Sequence, residues 1–145
     1  MFPVKDALRM RSKEHNATKV SNGVLMEFLS KVNPASIMKK LSVVVIPSLC
    51  PEPSPYVLIE SMMYGKLIIA PDIGGIPEMV NGNRSGVKLT KSGDYKEIAD
   101  GLTSFLTLKL EEVNEIGVKN REFILQKFKN EEIAKSFTSV LDEIS

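Results

Sequence analysis

The sequence predicts an α/β chain built on an open, mostly parallel sheet with helices on both faces, and three observations carry the prediction. Strand-like and helix-like segments alternate along the chain. Two of the strands, residues 42–46 (SVVVI) and 66–70 (KLIIA), are apolar runs without polar alternation, the pattern of strands covered on both faces. The loops between these segments are short, as parallel crossover units require.

Taken in order, residues 6–16 read as a polar, basic helix and residues 25–29 as a short strand. Asn33 can cap a short helix over 34–40, with Pro34 at the first helical position, where no N–H is needed. The strand over 42–46 ends at Pro47. Ser54 is expected to cap a helix whose first residue is Pro55, with Leu58, Ile59, Met62 and Met63 toward the core and Gly65 at the C′ position. The strand over 66–70 follows. A short helix over 76–80, an Asn81-Gly82-Asn83 turn and a strand over 86–89 come next. Asp94, with Glu97 three residues on, marks a capping-box start for a helix to about Leu106. Residues 110–127 and 130–144 read as two further helices, with Asn130 capping the last.

Composition bounds the function. With 145 residues the chain suits one domain, 1–145. Its 19 Lys and Arg against 18 Asp and Glu leave a net charge of +1, which removes any general pull toward nucleic acid or anionic lipid. Cys50 and His15 stand alone, so neither a disulfide framework nor a zinc site can be assembled within one chain, and no metal site is expected. A lone cysteine fits a reducing, cytoplasmic compartment. The start, MFPVK, has no signal-peptide core, and the longest apolar runs fall far short of the roughly 20 residues of a membrane helix. Any membrane association is therefore expected to be peripheral, at the inner face.

In open parallel sheets ligands bind beyond the carboxyl ends of the strands, which directs attention to residues 47–54 and 71–75. In Glu52-Pro53-Ser54-Pro55-Tyr56-Val57-Leu58-Ile59-Glu60 two carboxylates stand eight positions apart across a loop-to-helix junction. A helix starting there leaves the amides of Tyr56 and Val57 without intrahelical acceptors, and its dipole favours an anion. Glu60, about a turn into the helix, can accept hydrogen bonds from vicinal ribose hydroxyls, and Glu52 faces the same crevice from the loop. Hydroxyl acceptors around an anion site suit a nucleoside diphosphate joined to a sugar. The plainer alternative makes both glutamates ordinary solvated residues and Ser-Pro a common helix start.

The stretch from Leu41 to Gly86 resembles the donor-binding domain of the retaining GT-B glycosyltransferases of the group 1, or family 4, type, which includes polysaccharide, lipid and sucrose-phosphate synthases. Five elements match in order: Ile46-Pro47-Ser48 at a strand end; the pair Glu52 and Glu60; Glu60-Ser61-Met62 with Gly65; Gly74-Gly75-Ile76-Pro77-Glu78; and the Asn81-Gly82 turn before Gly86. Weaker similarity reaches upstream to about Ala7 and downstream to the last helix. The resemblance implies a Rossmann-like domain, the C-terminal half of a GT-B fold. It implies a glycosyl group moved from a nucleotide sugar to an acceptor hydroxyl with retention, without a cofactor.

The family match also assigns roles. Glu60 would bind the ribose hydroxyls and Glu52 would lie beside the transferred sugar as the candidate catalytic residue. Backbone at Ser54, Pro55, Tyr56 and Val57 would approach the sugar and diphosphate, although Pro55 has no N–H to give. Gly74 and Gly75 either make a turn or let backbone approach the donor, and the resemblance favours the second. The family's Arg and Lys phosphate clamp is not expected among these residues. It follows a strand expected before residue 1, so the chain is expected to lack the acceptor-binding half as well. Arg9, Arg11 and Lys13, on the first expected helix, read as a solvated face.

Two other classes remain beside the enzyme. One is a non-catalytic nucleotide-sugar-binding module or truncated remnant, or a subunit completed by a separate acceptor-binding chain; in any of these readings an exposed sheet edge is expected to lead to partner pairing, self-association included, or to poor solubility. The other, a flavodoxin-like or receiver domain, calls for an acidic or phosphate-loop cluster after the first strand, which is not found. His15, Cys50, Met62, Met63 and Glu78 are read as surface, packing or helix-end residues rather than chemistry.

Overall fold

The structure is a computed structural model that describes residues 33–83 and 85–129 and two short strands nearer the N-terminus. Its backbone divides into two compact units, Met1–Ser36 and Ile37–Ser145. In the first, β1 (Thr18–Lys19) and β2 (Leu25–Met26) pair antiparallel, with Thr18 opposite Met26. The expected helices over 6–16 and 130–144 lie outside the described residues, as do His15, Arg9, Arg11 and Lys13.

Helix α1 (Pro34–Met38) starts as its sequence dictates. The Asn33 side-chain oxygen accepts the Ala35 N–H at 3.0 Å, and the helix closes two residues early in a turn at Lys39 and Lys40.

The second unit is built on β3 (Val43–Val45), β4 (Leu67–Pro71) and β5 (Val87–Thr90), in the order β3-β4-β5 with both pairings parallel. Among the described residues they are accompanied by the helices α2 (Tyr56–Met63), α3 (Ile76–Met79), α4 (Tyr95–Leu106) and α5 (Leu110–Lys127). This is the Rossmann-like arrangement that the sequence predicts. Every residue of the central strand β4 is buried, as its unbroken apolar run requires.

The strand's period of two divides the core into two layers. Ile68 and Ala70 face Leu58 and Met62 of α2, Ile76 and Met79 of α3, and Ile124 of α5. Leu67 and Ile69 face the other way, toward Ile98, Leu102 and Phe105 of α4 and Val113 and Ile116 of α5. Leu67, Ile68 and Ile69 are wholly buried, each contributing roughly 1.5–3 kcal/mol relative to exposure. Helix α5 therefore serves both layers, and it does so at the amino-terminal end of the sheet. Gly117 packs on Gly65, so closely that a Cβ on Gly117 would lie 2.4 Å from the Gly65 carbonyl oxygen. The buried Asn120 side chain donates to the Lys66 carbonyl at 2.9 Å and accepts from Asn83 Nδ2 at 3.1 Å.

Helix ends follow local chemistry. Gly65, with φ of 65°, terminates α2 in a Schellman motif, Lys66 N–H bonding the Ser61 carbonyl and Gly65 N–H that of Met62. Asp94 caps α4 by accepting from the amides of Lys96 and Glu97. The Glu97 carboxylate does not return to the cap; it takes the Lys91 N–H at 2.7 Å, so only half of the expected capping box forms.

Three expectations are corrected. Ser54 does not cap α2: Pro55 is the N-cap, extended at ψ of 114°, and no side chain caps the helix. Pro55 itself keeps extended backbone, so the first helical turn begins at Tyr56 and Ser54 lies one position too far out to cap it. Met63 is 44% exposed whereas Met62 is buried, because successive helical residues turn by about 100° and only Leu58, Ser61 and Met62 share the buried stripe. Strand β4 starts at Leu67 and reaches Pro71, which pairs with Thr90.

Candidate functional site at the strand ends

The loops that leave β3, β4 and β5 at their carboxyl ends meet one another. The β3 loop carries Glu52, whose carboxylate oxygen Oε1 accepts the Ser48 hydroxyl at 3.2 Å. The β4 loop supplies Gly75, whose N–H donates to the Glu52 carbonyl at 2.9 Å. From the β5 loop, Ser92 Oγ donates to the Ser48 carbonyl at 3.4 Å. Two segments distant in sequence thus converge on the segment that holds Glu52.

Gly74 and Gly75 are required by that convergence. Gly74 adopts φ of 61°, and a Cβ there would lie 2.4 Å from the Glu52 carbonyl oxygen and 2.8 Å from its nitrogen. At Gly75 the added atom would lie 1.8 Å from the Pro53 carbonyl oxygen. These are backbone atoms, which cannot swing aside as a flexible side chain can. The space that the two glycines open is filled by the chain at 52–53.

Helix α2 then begins at the loop's far end. Pro55 is buried and anchors the start, whereas Tyr56 is 78% exposed and Val57 37%. Leu58 N–H turns back to the Pro55 carbonyl at 3.0 Å, while Tyr56 and Val57 occupy the first two helical positions, whose amides have no acceptor within the helix. Glu60 lies four residues beyond Tyr56, one turn in, and is exposed, as are Glu52 and Ser54. Underneath, Ser61 Oγ bonds the Val57 carbonyl at 2.6 Å and holds the first turn from its buried side. Among the described residues, no hydrogen bond links Glu52 to Glu60 or ties Ser54 to the helix.

The arrangement offers two outward amides at the positive end of a helix, with a carboxylate on each side in sequence. It can receive an anionic group and accept hydrogen bonds from hydroxyls next to it. Cys50 is exposed on the same loop. Glu78 is exposed in the first turn of α3, its carbonyl bonded by Lys127 Nζ. Among the described residues no three His, Cys, Asp or Glu side chains gather as a metal-binding group. No helix among them is long and apolar enough to cross a membrane. Ser48 enters the sequence reading only as the end of Ile46-Pro47-Ser48; its contact with the Glu52 carboxylate is what the sequence does not disclose.

Residues 5–107 match a family model described as glycosyl transferases group 1. HepE of Anabaena, solved in complex with UDP, superposes with a TM-score of 0.61 at 26% identity, over 71% of this chain and 29% of that one. Its complex with UDP-glucose gives 0.60 at 27% identity, with the same coverage. Sucrose-phosphate synthase from Thermosynechococcus elongatus gives 0.62 at 25% identity, over 76% of this chain and 27% of that one. The chain therefore spans less than a third of the length of these solved relatives. No curated protein matches it.

Proposed function

Since the chain belongs to the group 1 glycosyltransferase family, we propose that it is the nucleotide-sugar-binding half of a retaining glycosyltransferase of GT-B architecture. The donor is a nucleoside diphosphate sugar, and the acceptor hydroxyl, on a sugar, lipid or other molecule, is held by a separate acceptor-binding domain or chain. The carrying observation is the junction between the β3 loop and α2, where Glu52 and Glu60 bracket the amides of Tyr56 and Val57. UDP and UDP-glucose in complexes of HepE, a relative at 26–27% identity, support a nucleotide sugar as the ligand.

In this reading Glu60 accepts the ribose hydroxyls. Tyr56 and Val57 present their amides to the diphosphate, and the dipole of α2 steadies the charge that grows there as the sugar–phosphate bond breaks. Ser54 and Pro55 line the approach. Gly74 and Gly75 contribute to the donor site through the backbone they bring together, and Glu52 lies at the transferred sugar. The donor is itself the activated substrate, and we assign no cofactor. The compartment in which nucleotide sugars would be used is the cytoplasm, with any membrane contact peripheral.

Isothermal titration of the chain with UDP, GDP and ADP, repeated with Glu60→Ala, tests the reading. One nucleotide is expected to bind, and the variant to bind it roughly ten-fold or more weakly, since a hydrogen bond to a charged group contributes about 1.5–3 kcal/mol. Absence of binding by a demonstrably folded chain, or binding indifferent to Glu60, would remove the donor site. Binding of the nucleotide sugar without transfer, even with an acceptor-binding domain supplied, would leave a non-catalytic binding module.

A further inference from the structure

A carboxylate on an irregular, exposed loop is a poor tool for holding a sugar, because its freedom must be given up each time a ligand binds. Glu52 stands on such a loop, yet three separate restraints act on it. Ser48 Oγ holds carboxylate oxygen Oε1 at 3.2 Å. Gly75 N–H holds the Glu52 carbonyl at 2.9 Å. The chain at Glu52 and Pro53 fills the space over Gly74 and Gly75, where an added Cβ would lie only 2.4 Å from the Glu52 and 1.8 Å from the Pro53 carbonyl oxygen. Ser48 is itself steadied through its carbonyl by Ser92 Oγ at 3.4 Å.

We infer that Ser48, Gly74 and Gly75 are positioning residues that fix the Glu52 carboxylate for a hydroxyl of the donor's sugar. The glycines set where the Glu52 backbone lies, by admitting the chain at 52–53 against the turn after β4. Ser48 sets the carboxylate's rotation, engaging Oε1 and leaving Oε2 to accept from the ligand. The inference rests on the donor-site reading above and adds to it residues that touch no substrate.

The affinity that the sugar contributes is the quantity to measure. It is the ratio of dissociation constants for a nucleotide and its sugar conjugate, determined by titration calorimetry with UDP against UDP-glucose, GDP against GDP-mannose and ADP against ADP-glucose. The full chain is used, and thermal melts establish that each variant is folded. Glu52→Ala is expected to abolish the preference for the conjugate. Ser48→Ala is expected to lower it about five-fold, the effect of one hydrogen bond, and Ser48→Thr, which keeps the hydroxyl, to restore it. Nucleotide affinity stays within two-fold in all three. In a Glu52→Ala background Ser48→Ala should cost nothing further.

Gly75→Ala should behave as Ser48→Ala does or more severely; since it can also impair folding, the serine variants decide. The positioning role is overturned if the wild-type chain shows no preference for any conjugate, if Ser48→Ala keeps that preference, or if its loss persists without Glu52. Failure of the donor-site reading looks different: none of the three free nucleotides binds, and the inference falls with it.

Discussion

Replacing Asn120 with alanine should cost more stability than any exposed change in this chain. The side chain is wholly buried between α5 and the start of β4, donating to the Lys66 carbonyl at 2.9 Å and accepting from Asn83 Nδ2 at 3.1 Å. Alanine removes both bonds, each contributing about 1 kcal/mol net. It also strips the half-buried Lys66 carbonyl of its side-chain donor, which costs roughly 1–2 kcal/mol more. The expected loss is about 3–4 kcal/mol, or a fall in Tm of roughly 10 °C for a chain of this size. Urea unfolding followed by circular dichroism measures it, with an unchanged m-value confirming that the folded state alone has moved.

Geometry supplies an internal control for that prediction. A Cβ on Gly86 would lie 2.2 Å from Asn120 Nδ2, so Gly86→Ala must push the asparagine from its place. The double variant should then cost clearly less than the sum of the singles, since both disrupt one arrangement. A loss below about 1 kcal/mol for Asn120→Ala, or strict additivity with Gly86→Ala, would refute the reasoning.

Three smaller effects can be read in the same unfolding assay. Asp94→Ala removes the acceptor of two first-turn amides of α4 and should cost about 1 kcal/mol. Ser54→Ala should change stability by less than about 0.5 kcal/mol, because Pro55 holds the cap position of α2; a loss near 1 kcal/mol would reinstate the serine as a cap. Gly65→Ala should cost at least about 1–2 kcal/mol, since φ of 65° strains an L-residue and its Cβ would come within 3.0 Å of the Gly117 carbonyl oxygen; a neutral result would show that the helix end re-forms otherwise.

What the sequence discloses depends on whether the signal is local. Unbroken apolar runs give β3 and β4 within a residue or two, and Gly65 and Asp94 mark helix ends because their chemistry acts on the next few peptide groups. The N-cap of α2 slips by one residue because Pro55, whose ring accepts extended as readily as helical backbone, stays extended and leaves Ser54 one position outside the helix start. Gly74 and Gly75 are a harder case. An absent Cβ states that something approaches, not what; the occupant here is the chain at 52–53, more than 20 residues away in sequence. Asn120 was invisible for the same reason, since a polar residue's partner across the fold leaves no trace in spacing, whereas Ser48 lies only four residues from Glu52 but on an irregular loop, where spacing does not fix which side chains meet. The loop and helix that carry Glu52 and Glu60 were legible; the restraints on Glu52 were not.

Helix α5 covers both layers of the core, and this has a consequence for how the chain comes to be folded. Its contacts with β4 join residues made far apart during synthesis, the Lys66–Asn120 bond spanning 54 positions. Until residues 110–127 are complete, β4 lacks the cover that Val113 and Ile116 give one side and Ile124 the other. A growing chain therefore carries an incompletely shielded apolar strand through that interval, and the closing of both layers becomes a single late event set by non-local contacts. The order of synthesis places the buried strand first and the helix that shields it later.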